Sequence, residues 1–176
     1  MYHVVLLVER EMTGLDARQV ASLHEGIDDA VAYHVVLPVE EAATRVETSM
    51  GALLGPEHIA DVAPLSAEDV ELLQREVVAS ARKALESSLT QLRQTGRSVD
   101  GRVTGLDPID ALAAMVAEHE AAEAIILTAP HAVKEFFHVD WTSRARRRLG
   151  VPTLHLLEHE TFDEQASGAG EGNTII

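Results

Sequence analysis

Apolar positions along this chain fall into two patterns. The first is the short unbroken run: "HVVLLVE" (His3–Glu9), "YHVVLPVE" (Tyr33–Glu40), "EAIILTA" (Glu123–Ala129) and "VPTLHLLEHE" (Val151–Glu160). Continuous β-branched runs of this length predict strands covered on both faces. "SVDGRVTG" (Ser98–Gly105) reads as a further strand, weakened by Gly101. The second pattern is helical spacing. "SAED" from Ser66 has the form of a capping box. Val70, Leu73, Val77, Ala81, Ala84, Leu85 and Leu92 then mark one helix face to about Thr95, and Gly96 closes it. In "DPIDALAAMVAEHE", Asp107 caps, Pro108 takes the first helical position, and Ile109, Leu112, Ala113 and Val116 face inward. Shorter helices are expected in "LDARQVASLHEGIDD", ending near Gly26, and in "TSRARRRLG".

Strands alternating with helices imply the α/β class: a single doubly wound, Rossmann-like domain whose five-stranded parallel sheet carries helices on both faces. Its crossovers should be right-handed. The domain is expected over residues 1–159, with 160–176 as a flexible acidic, glycine-rich tail. The aperiodic stretch Met50–Pro64 lies in a long connection between the second strand and the capped helix.

Composition narrows the function. A net charge of −15 opposes nucleic acid and anionic lipid over most of the surface, and 3% aromatic residues supply no base-stacking platform. The chain has no cysteine, which removes disulfides, thiolate metal sites and cysteine nucleophiles. The apolar N-terminal run is too short for a membrane span and lacks the basic flank of a signal peptide. A cytoplasmic protein without a membrane or nucleic-acid partner is expected.

The element order, "YHVV" before the long connection, and "GLDPIDALAAMVAEHEAAEAIILT" together resemble the universal stress protein family over roughly residues 2–158. The resemblance implies a small five-stranded parallel α/β domain, dimeric through the fifth strand (Val151–Leu157). Nucleotide-binding members carry G-x2-G-x9-G-[ST] directly after the fourth strand. Here the spacing survives without the glycines: Thr128, His131 and Trp141 occupy the three positions, and Thr142 keeps the final hydroxyl. Glu9 stands where the family uses an acidic residue at the end of the first strand. A phosphate cradle turns successive backbone N–H groups inward, often at positive φ, which costs a non-glycine residue about 1–3 kcal/mol. Pro130 also has no N–H to give. The ATP site is therefore expected to be degenerate or lost. The alternative is a remodelled pocket at the C-terminal edge of the sheet, where a nucleotide such as ATP or AMP, or another phosphate ligand, meets Glu9, Thr128, His131, Trp141, Thr142 and Arg144.

Residues 140–150 carry +3 against −18 for the rest of the chain, through Arg144, Arg146, Arg147 and Arg148. Forked guanidinium contacts could hold an anion there. A solvated basic face paired with acidic surface is the stronger reading, since the four cannot converge on one ligand from a helix. Phe136, Phe137 and Trp141 concentrate the aromatic bulk of the chain in one loop; they would fill the vacated pocket or anchor a protein partner. Among nine histidines, His155 and His159 share a strand face, with His34 and Glu158 available, but the spacing lacks the form of a zinc motif, and no metal site is expected. No nucleophile elbow, phosphate-binding glycine loop, zinc-helix motif or dinucleotide fingerprint occurs, so no catalytic residue is assigned and the protein is not expected to be an enzyme.

Overall fold

Strand β1 (Tyr2–Val8) lies at the centre of a five-stranded sheet. Around it are β2 (Val31–Pro38), β3 (Ser98–Thr104), β4 (Glu123–Thr128) and β5 (Thr153–Leu157), with helices α1 (Gly14–Ser22), α2 (Ala67–Arg93) and α3 (Pro108–His119). The computed structural model describes residues 1–39, 67–128 and 147–157. The strand order is β3-β2-β1-β4-β5 and every pairing is parallel. The expected doubly wound α/β sheet is therefore the one that forms. The Met50–Pro64 stretch, the loop from Ala129 to Arg146, the boundary at residue 159 and the tail lie outside the described residues, as does the capping box at Ser66.

Element ends differ from the sequence reading for local reasons. β2 begins at Val31, two residues before Tyr33, and stops at Pro38, which pairs with Thr104. Helix α1 stops at Ser22 rather than near Gly26. Tight turns carry the chain on, with His24 N–H donating to Ala21 O and Ile27 N–H to His24 O. Its start is a capping box in "TGLD": Asp16 N–H donates to Thr13 Oγ1, and Thr13 N–H to Asp16 Oδ2 at 2.7 Å. β5 is short, beginning at Thr153.

Strand alternation sorts the core into two layers. Val4, Leu6, Val8, Tyr33, Val35, Ile125 and Leu127 pack beneath α1 and α2, against Ala17, Val20, Leu85, Leu89 and Leu92. Val5, Leu7, Val36, Ala124 and Ile126 face α3 through Leu112, Met115 and Val116. The α2 layer sits close to the sheet at Gly101 of β3. A Cβ there would stand 2.7 Å from Val35 O and 3.1 Å from Leu85 Cδ1. The glycine that weakened the strand in the sequence is what lets this helix approach. Gly96 closes α2 at φ +78°, with its N–H donating to Arg93 O at 3.0 Å. Helix α3 ends differently, on Glu120 in the left-handed region (φ 48°).

Gly101→Ala should destabilise the fold by about 1–3 kcal/mol, because the new methyl meets backbone rather than a yielding side chain. Gly105→Ala, where nothing lies within 4 Å, should change stability by less than about 0.5 kcal/mol. Urea midpoints of the two variants, compared at constant m-value, check this.

Candidate functional site

The order of strands reverses between β1 and β4, so connections leave their carboxyl ends in opposite directions and open a crevice there. Glu9 and Thr128 stand together at this edge: Val8 pairs with Leu127, and Glu9 N–H donates to Leu127 O at 3.1 Å. Beside them a cleft of about 320 Å³ lies between the ends of β1 and β2 and helix α2, walled by Glu9, Arg10, Glu11, Leu37, Pro38 and Lys83. The loop that forms its floor is pinned to α2. Buried Met12 N–H donates to Ser88 Oγ at 2.9 Å, and the Ser88 hydroxyl donates to Ala84 O.

Thr128, at the first motif position, is committed sideways: its Oγ1 is hydrogen-bonded to His155 Nε2 of β5 at 2.8 Å. Burial holds the His155 imidazole below its ordinary range. His131, Trp141, Thr142 and Arg144, with the aromatic pair Phe136 and Phe137, lie outside the described residues. Of the basic run, Arg148 reaches Asp110 in the first turn of α3 at 2.6 Å, both side chains being more than half exposed. That contact directs it to acidic surface of the same chain, as the solvated-face reading expects.

At the opposite end of the sheet, on its α3 face, the fold assembles three imidazoles. One donor nitrogen from each of His3, His34 and His119 lies within 4.8 Å of the other two. His34, nearly fully buried in β2, has Nδ1 at 2.8 Å from Asp100 Oδ1 of β3 and Nε2 at 2.9 Å from His3 Nδ1. The His119 ring, from the last residue of α3, stacks on His34 with centroids 3.5 Å apart and planes 14° from parallel. Sequence reasoning named His34 only as an available donor for the fifth-strand histidines and expected no metal site. The sheet separates those by β1 and β4, while Glu158 and His159 lie outside the described residues. A signal was present: "YHVV" occurs at both Tyr2 and Tyr33, placing a histidine inside two otherwise apolar strands.

A fourth histidine has a structural task. His24, buried at the end of α1, contacts Glu123 through Nε2 and Tyr33 through Nδ1 at 2.8 Å. Nδ1 also lies 3.0 Å from Val20 O, so the ring is held between the α1 carbonyl, the Tyr33 hydroxyl and the Glu123 carboxylate. Burial above all pushes the Tyr33 phenol up to about 12. This network ties α1 to β2 and β4 and leaves no open face for a ligand.

Three solved structures place the architecture. A universal stress protein family structure from Arabidopsis thaliana with AMP bound superposes with a TM-score of 0.52 at 9% identity, covering 90% of this chain and 93% of its own. The hypothetical protein MJ0577 gives 0.55 at 14% identity, over 92% and 99% of the two chains. A universal stress protein family structure from Burkholderia pseudomallei gives 0.50 at 14% identity, over 88% and 96%. No protein-family model matches this chain, and no curated protein does. The fold is that of the universal stress proteins. Among the described residues no helix is long and apolar enough to cross a membrane.

The lowered His155 pKa fixes a sign. The unfolded imidazole titrates near its ordinary 6.5 and the folded one below it, so the unfolded state binds the proton first as pH falls. Stability should be full above about pH 6.5 and decline as pH drops from there toward the folded value. His155→Gln should show a shallower loss between about pH 7.5 and about pH 5, measured by urea unfolding across that range.

Proposed function

We propose that this chain is a non-catalytic, universal-stress-like regulatory protein whose ATP cradle is degenerate, working as a homodimer through β5 or through a protein partner at Phe136, Phe137 and Trp141. The observation that carries this reading is the first motif position. Thr128 replaces glycine there, and its hydroxyl is already engaged by His155 at 2.8 Å. His131 and Trp141 replace the other two glycines. Loss of three glycines removes the freedom a backbone needs to wrap a phosphate. No arrangement of nucleophile and base among the described residues argues for an enzyme. The dimer reading draws support from β5 as an edge strand that presents Leu154 at 40% exposure; such an edge needs pairing or cover.

One observation favours a second reading, a nucleotide or other phosphate ligand bound in a remodelled pocket. The cleft beside Glu9 brings Arg10 and Lys83 to the carboxyl ends of β1 and β2, and the Arabidopsis neighbour holds AMP.

Calorimetry with Mg-ATP and with AMP separates the two. The degenerate-cradle reading expects no heat of binding up to about millimolar nucleotide, weaker than roughly −4 kcal/mol. Micromolar affinity that Thr142→Ala/Arg144→Ala abolishes would establish a rebuilt loop, and loss in Lys83→Ala would locate the ligand in the cleft. The dimer is tested separately: sedimentation should show two chains, and Leu154→Lys should shift the population to monomer while far-UV circular dichroism is retained.

A further inference from the structure

We propose that His3, His34 and His119 form a binding site for a divalent transition metal ion of the zinc class, at the amino end of the sheet and separate from the Glu9 edge. The first support is convergence. Two strands and a helix end contribute one imidazole each, and a donor nitrogen from every ring lies within 4.8 Å of the others. Tetrahedral zinc with Zn–N near 2.0–2.1 Å needs donor nitrogens roughly 3.3 Å apart. The His3–His34 pair, at 2.9 Å, has only to open by a few tenths of an ångström.

The second support is the protonation pattern that Asp100 imposes. Its carboxylate oxygen, 2.8 Å away, fixes the proton of neutral His34 on Nδ1. The lone pair of Nε2 then points at His3, whose Nδ1–H donates to it. A carboxylate holding the far nitrogen of an imidazole is the arrangement that orients metal-ligating histidines and raises their basicity. A cation entering between the rings takes the position of that single proton, and His3 moves its own proton to Nε2.

Access and the fourth position follow from burial. The His34 side chain is 5% exposed and held by Asp100, whereas that of His119 is 23% exposed. His34 and His119 are stacked face to face, so their lone pairs run side by side rather than converge, and His119, with room at the rim, is the ring that turns. Glu118 is paired with Arg102 through one carboxylate oxygen, and its other oxygen lies 3.8 Å from His119 Nε2. The fourth position falls to water or to that second oxygen, beside three imidazoles from the protein. Three neutral imidazoles and no thiolate suit zinc, nickel or copper rather than calcium or magnesium. Such an ion would tie β1, β2 and the end of α3 together, about 20 Å from Glu9 along β1.

The test uses the untagged, chelator-stripped full chain titrated with Zn²⁺ in competition with a chromophoric chelator. The expected result is about one zinc per chain with Kd below about 10 μM, and a tetrahedral ligand-field spectrum when Co²⁺ replaces Zn²⁺. His3→Gln and His119→Gln should each weaken binding at least about tenfold, and Asp100→Asn by roughly 10–100-fold. His155→Gln should leave it unchanged. Should His119→Gln fail to fold by circular dichroism, Asp100→Asn, which removes no ligand, carries the test. Absence of zinc binding, affinity unaffected by these substitutions, or affinity lost in His155→Gln would each overturn the proposal.

Discussion

Everything in this molecule depends on β1 being enclosed. Val4, Val5, Leu6 and Val8 have no exposed surface, and each of these side chains contributes about 1.5–3 kcal/mol when taken out of water. The strand can be enclosed only if partners flank both its edges and helices cover both its faces. β2 and β4 supply the edges; α1 and α2 cover one face and α3 the other. Because β1 is central, the chain must leave it toward β2 and later return on the far side to β4. The crevice that holds Glu9 and Thr128 is a by-product of that requirement rather than a feature added to it.

The same enclosure makes polar residues buried beside these strands or on them conspicuous. Each needs a partner or it costs stability. His24 finds Glu123 and Tyr33, and Ser88 finds Met12 and Ala84. The resulting bonds staple α1, α2 and the loop after β1 to the sheet. His34 satisfies both nitrogens, but one of its two partners is another imidazole. A purely structural role would be met more simply by an apolar side chain on this face. The two ends of the sheet thus carry different chemistry. Among the described residues the carboxyl end carries Glu9, Arg10, Glu11 and Lys83, and the amino end carries imidazoles packed against the α3 core.

Close approach between α2 and β3 shows how a local weakness becomes a global necessity. Glycine lowers strand propensity, yet at position 101 it removes a Cβ that would collide with the Val35 carbonyl. The 27-residue helix above it also reaches this glycine through Leu85, and packs on the sheet through Leu85, Leu89 and Leu92.

The sequence by itself determined the elements and their order, because unbroken β-branched runs and 3.6-residue spacing are local signals that burial reinforces. Asp107, Pro108 and Gly96 marked helix ends for the same reason. It also determined that positions 128, 131 and 141 hold threonine, histidine and tryptophan rather than glycine, since identity at a spacing needs no coordinates. Only the tertiary structure decided which side chains meet. His3, His34, Asp100 and His119 are spread over more than a hundred positions; strand register brings the first three together and the packing of α3 on the sheet adds the fourth. The sequence named His34 only as an available donor near the fifth-strand histidines, since nothing in one sequence says that β1 and β4 stand between them. Thr128 reads as a candidate pocket residue in the sequence, and in the fold its hydroxyl is engaged by His155. Hydrogen bonds and donor clusters are set by distances across strands, which periodicity does not encode.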